Sequence, residues 1–123
     1  MRRKPGALVP LEIAICLSAA DLRRDGADEF HGYEMARRLS DVANRRLLTA
    51  YGTLYRALAR LEKMGLLESR WEDPEIPARE NRPGRRLYML TAAADAIVLT
   101  AQEARKAVST KVHRRLRRRT VPA

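Results

Sequence analysis

The stretch AYGTLYRALARLEKMGLL, residues 50–67, constrains this chain more than any other. Leu54, Leu58 and Leu61 recur at steps of four and three, the helical repeat, and Leu66 follows just past the end. Gly65 is placed to stop the helix in a left-handed conformation, and Thr49 offers a hydroxyl to cap its start. The opposite edge carries Thr53, Arg56, Arg60 and Lys63 at the same spacing. Such a helix anchors by its leucines and presents a hydroxyl and three cations outward. Tyr51 and Tyr55 crowd its first turn around Gly52, where a bare backbone and free N–H groups favour an anion.

The flanking segments supply a frame for that helix. Residues 8–22 read as a first helix whose stripe is Leu8, Leu11, Ala14, Ile15 and Ser18. Ile13 and Leu17 lie off the stripe, so this helix expects cover from two directions, and Glu12 interrupts it. A second helix over residues 32–43 turns Ala36, Leu39 and Val42 inward, with Tyr33 or Met35. After residue 66, LLESRWED alternates as a strand and RRLYMLT, residues 85–91, is its partner. Between them PEIPARENRPG is too long for a tight turn and reads as a loose tip. Thr91 caps a last helix over residues 92–118. Ala94, Ile97, Val98, Ala101, Ala104, Val108 and Val112 make an apolar stripe along it that no later segment covers. A second copy of the chain is the natural cover.

Two short helices, a brief connection and a hairpin form a winged helix-turn-helix. The fold class is therefore mainly α with a β-hairpin wing. Residues 1–91 form the winged module, and residues 92–123 form a dimerisation helix with a basic tail. In such folds the second helix of the pair enters the DNA major groove, N-terminal turn first. Tyr51, Gly52, Thr53, Tyr55, Arg56, Arg60 and Lys63 become the candidate DNA contacts on the helix. Arg56 is the candidate for a bidentate guanine contact; Arg60 and Lys63 face phosphates. Arg79, Arg82, Arg85 and Arg86 are the candidates on the wing. The dimer contacts are assigned to Leu8, Leu11 and Ile15 of the first helix and to Ile97, Val98, Ala101, Ala104, Val108 and Val112 of the last.

Charge agrees with a polyanionic partner. The chain of 123 residues carries a formal +10. Lys111, Arg114, Arg115, Arg117, Arg118 and Arg119 supply six of those charges, leaving +4 on the rest. Other classes find little support. His31 and His113 are far apart and fit no metal-ligand pattern, and no nucleophile motif or phosphate-cradling loop is present. The expectation is a non-enzyme with no cofactor and no metal. His31, beside Gly32, is expected to help start the second helix or to pack there. A single Cys16 in an apolar run fits a buried hydrophobe in a reducing cytoplasm. The basic N-terminus mimics an export signal only faintly, and no stretch reaches the length of a membrane span.

The sequence resembles the PadR family of bacterial transcriptional regulators from about Leu11 to Val98. The resemblance rests on His31-Gly32-Tyr33-Glu34, Gly52-Thr53-Leu54-Tyr55, Ala57-Leu58, Arg60-Leu61-Glu62, Gly65-Leu66-Leu67, Trp71, and Gly84-Arg85-Arg86 with Tyr88, Leu90 and Thr91. It implies a winged-helix homodimer, joined by the C-terminal helix with help from helix 1, that represses nearby genes at palindromic operators. It places Thr53 and Tyr55 on DNA and residues 84–86 on the wing. Arg56 departs from a frequent proline, and Ala94 from a frequent glycine, which predicts a straighter start to the last helix. Some relatives stack flat drugs between tryptophans at the dimer interface; this chain has no aromatic residue after Tyr88. The expected partners are double-stranded DNA, a second copy and, as an open option, a small-molecule effector. An RNA-binding or ribosome-associated basic winged helix, gripping through KVHRRLRRR, is the alternative. A winged helix used for protein contacts alone is a third reading.

Overall fold

The computed structural model describes residues 7–42 and 51–120, with the side chains of residues 7–40 and 52–110. Helix α1 (Pro10–Arg24) is followed by a short strand β1 (Phe30–His31), α2 (Gly32–Val42) and α3 (Tyr51–Lys63). Strand β2 (Leu67–Trp71), α4 (Glu75–Glu80) and β3 (Arg86–Leu90) make the wing, and α5 (Asp95–Thr120) closes the chain.

The leucine edge of α3 packs as its spacing requires. Leu54, Leu58 and Leu61 are fully buried, and Leu66 nearly so. Gly65 ends the helix at φ 79°, and the Leu66 N–H reaches back to the Leu61 carbonyl. Around that edge α1 contributes Ile15 and Cys16, α2 contributes Met35 and Leu39, and the sheet contributes Leu67, Tyr88 and Leu90. Met35, not Tyr33, is the inward residue of α2; Tyr33 is exposed. Helix α1 packs against α2, α3 and α5, the multiple cover its broad apolar surface implied. Deleting a buried leucine such as Leu58 would cost about 2–5 kcal/mol.

The sheet is antiparallel, in the order β1-β3-β2. Leu67 pairs with Leu90, Ser69 with Tyr88 and Trp71 with Arg86. The third strand is new relative to the expected hairpin. Phe30 pairs with Tyr88, and their rings stack at 5.8 Å. This pairing pulls the start of α2 against the wing.

Three local expectations are corrected. The loose tip is ordered: α4 forms within it, Pro77 is buried, and Asn81 caps it in the left-handed region at φ 53°. Thr91 does not cap the last helix with its hydroxyl, which donates to the Gly65 carbonyl at 2.6 Å. The last α-helix does not start at residue 92: Ala92–Ala94 make a 3-10 turn that buries Ala94 completely, and α5 begins at Asp95. The expected Thr49 cap lies outside the described residues.

Candidate nucleic-acid interface

The first turn of α3 and the base of the wing enclose a cleft of about 330 Å³. His31, Tyr33, Tyr55, Trp71, Arg85, Arg86 and Tyr88 line it, with Gly32 and Gly84 giving it depth. Tyr55 is 47% exposed and Trp71 64%, so two large rings stand at the surface beside two guanidinium groups. His31 is set by its neighbours. Its Nδ1 accepts the Glu34 N–H at 3.2 Å, which caps α2, as its place beside Gly32 suggested. Burial first, then the Arg85 charge, hold its pKa below the ordinary histidine value. The neutral ring is the form able to accept that bond.

The predicted cations separate into two groups. Arg56, Lys63, Arg79 and Arg85 are exposed, and among the described residues no carboxylate forms an ion pair with them. Arg56 makes only a long bond to the Thr53 hydroxyl, 3.4 Å, which keeps both on the exposed first turns of α3. Gly52 beside them is exposed, and Thr53 is half-buried. Tyr51 begins α3; its side chain lies outside the described residues.

Arg60, Arg82 and Arg86 are engaged within the protein. Arg60 does not share the outward edge with Arg56 and Lys63. Its guanidinium meets the buried Glu12 at 2.5 Å and donates to the Ala7 carbonyl at 3.3 Å. Glu12 also accepts the Val9 N–H at 2.9 Å, so one carboxylate joins the start of α1 to α3. Arg82 is clasped by Glu72, at 2.5 and 3.1 Å, and by Glu80 at 2.5 Å. The same Glu72 accepts the Arg85 N–H at 2.9 Å, fixing the turn into β3. The hydrogen bonds and charge of Arg82 hold the Glu72 carboxyl below its ordinary pKa. Arg86 donates to Ser69 at 2.9 Å, reaches Glu62 at 3.4 Å and lies 5.6 Å over the Trp71 ring. Ser69 in turn donates to Glu62, so the wing is bolted to α3.

The matching carboxylates are Glu12, Glu62 and Glu72. An acidic residue inside an apolar run, as at Glu12, is the one sequence signal that marks such a buried pair.

The candidate dimer contacts also divide. Leu11, Ile15 and Val98 are in the core of the chain itself. An open apolar groove of about 500 Å³ between α1 and α5 is lined by Leu8, Ile13, Ala96, Ile97, Thr100, Ala101 and Ala104. Val108 is exposed further along α5, and the side chain of Val112 lies outside the described residues.

The family model of the transcriptional regulator PadR-like family matches residues 25–96, from before β1 through the wing to the start of α5. The chain belongs to the PadR family of transcriptional regulators. Solved structures with the same fold include the Streptococcus mutans protein smu.1704, at 17% identity and TM-score 0.65, covering 96% of this chain and 99% of that one. A PadR family regulator from Clostridium difficile R20291 matches at 19% identity and TM-score 0.62, over 84% of this chain and 97% of that one. A PadR-like regulator from Bacillus cereus matches at 23% identity and TM-score 0.62, over 86% and 90%. At these identities the likeness is one of fold. No curated protein is a significant match. Membership makes this PadR protein a regulator rather than an enzyme, built on a winged helix with a three-stranded sheet. Among the described residues no helix is long and apolar enough to cross a membrane.

Proposed function

We propose that this PadR protein is a cytoplasmic, dimeric repressor that binds a palindromic operator. The observation that supports this reading best is the segregation of its arginines. Among the described residues Arg56, on α3, and Arg85, on the aromatic cleft, are exposed and form no ion pair with a carboxylate, while Arg60, Arg82 and Arg86 brace the elements that carry them. In this reading the first turn of α3 enters the major groove, with Thr53 and Arg56 toward base edges and Tyr55 toward a phosphate. Arg79 and Arg85 meet the flanking backbone. The groove of Ile97, Ala101 and Ala104 beside Leu8 supports pairing of two copies. Such pairing sets two recognition helices about 34 Å apart, one turn of the duplex. Release by a small effector belongs to the same reading.

Footprinting the purified protein on the DNA beside its coding region tests the proposal. The expected result is protection of an inverted repeat by a dimer. Arg56→Ala should then lower discrimination between that site and random DNA by about 1–3 kcal/mol. Equal weakening on both would remove Arg56 as a base reader. A full-length chain that ignores duplex DNA but binds RNA through residues 111–119 would overturn the proposal.

A further inference from the structure

Gly32 opens α2, and its backbone is not in the left-handed region that demands glycine. The reason for glycine there is space. A Cβ built at Gly32 would lie 2.6 Å from the Tyr55 hydroxyl oxygen and 2.8 Å from two ring carbons. Ordinary contact starts at 3.4 Å, so any side chain would drive the phenol back by about 0.6–0.8 Å. The obstructing atoms are the far end of a half-exposed side chain rather than backbone. Folding therefore tolerates the displacement, while the placement of the hydroxyl does not. Gly32 is tied down independently of α3: His31 caps α2 and pairs with Leu87 of the wing.

We propose that Gly32 is a positioning residue: a notch in the first turn of α2 that seats the Tyr55 phenol and aims its hydroxyl at the DNA backbone. This rests on the DNA-binding reading above. It makes the α2 start, which touches no nucleic acid in that reading, a determinant of affinity. A hydrogen bond tolerates little lengthening beyond about 3.2 Å, so a shift of this size breaks it.

The test is a double-mutant cycle with Gly32→Ala, Tyr55→Phe, Tyr55→Ala and the pair Gly32→Ala/Tyr55→Ala. Affinity is read on the protected repeat, and thermal midpoints are read alongside. Tyr55→Phe and Gly32→Ala should each weaken binding about ten- to hundredfold, summed over a dimer. In the Tyr55→Ala background, Gly32→Ala should add less than about twofold. Gly32→Ala that binds like the wild type overturns the notch and leaves the DNA reading standing. A wild-type chain that binds no duplex overturns both. If Gly32→Ala alone fails to fold, recovery of folding in the pair with Tyr55→Ala supports the notch. Failure of both to fold assigns Gly32 to the backbone and overturns it.

Discussion

Replacing Arg60 by alanine takes a guanidinium away from the Glu12 carboxylate inside the protein. The Glu12 side chain is 3% exposed and that of Arg60 29%, with 2.5 Å between the charged atoms. Removing one partner of a fully buried pair costs about 3–5 kcal/mol, because the remaining charge keeps its desolvation penalty. Water reaches the Arg60 end, so the expected loss is about 2–3 kcal/mol. For a chain of this length that lowers the thermal midpoint by about 6–15 °C. Glu12→Ala/Arg60→Ala should lose less than the sum of the single changes, by about 1–2 kcal/mol, because the two side chains share one interaction. Urea unfolding of the four proteins at neutral pH measures all of this. Stability of Arg60→Ala within about 0.5 kcal/mol of wild type would refute the reasoning and return Arg60 to the surface.

The division of the arginines predicts a salt dependence. If Arg56, Lys63, Arg79 and Arg85 of both copies each neutralise a phosphate, log affinity against log salt has a slope of about −7. Arg85→Ala should flatten it by about 2 and Arg82→Gln by less than about 1, read by fluorescence anisotropy. In the wing, Glu72 has a folded pKa lowered chiefly by its bonds to Arg82. The stability it contributes is complete at neutral pH and is lost as pH falls through that lowered value. The Arg85 amide, which donates to Glu72, should therefore titrate in NMR below the ordinary carboxylate value of 4.5. Cys16 runs the other way: burial first, then the Glu12 charge, push its thiol from 9.0 to about 11. Its contribution is complete below 9.0 and is lost as pH rises toward about 11, and native protein should resist thiol alkylation at pH 8 until it is unfolded.

The parts of the fold governed by local spacing were legible in the sequence. Leu54, Leu58 and Leu61 mark one face by their period alone, and Gly65 is where a helix with that period must stop. Long-range pairings were not legible. Strand β1 is two residues long, too short for any alternation to register, and exists because Tyr88 offers Phe30 a ring to stack on. Helix α4 was hidden by Pro77, which reads as a breaker until its burial is seen. Arg60 looked like its neighbours Arg56 and Lys63 because its partner, Glu12, lies 48 residues away. Arg82 is a mixed case: Glu80 stands two residues before it, but Glu72, which clasps it twice, lies ten residues away. Periodicity reports which face a residue occupies, whereas charge pairing depends on which elements the core brings together.

Helix α5 has 26 residues and so runs for about 39 Å. Its buried anchor, Val98 in its first turn and Ala94 just before it, sits at one end. A rod fixed near its base magnifies small tilts: a 10° swing about that joint carries the far tip through about 7 Å. The seating of Ala94 and Val98, with the ion pairs of Asp95 to Arg23 and of Arg105 to Asp21, thus governs where the distal, arginine-rich end of the chain travels.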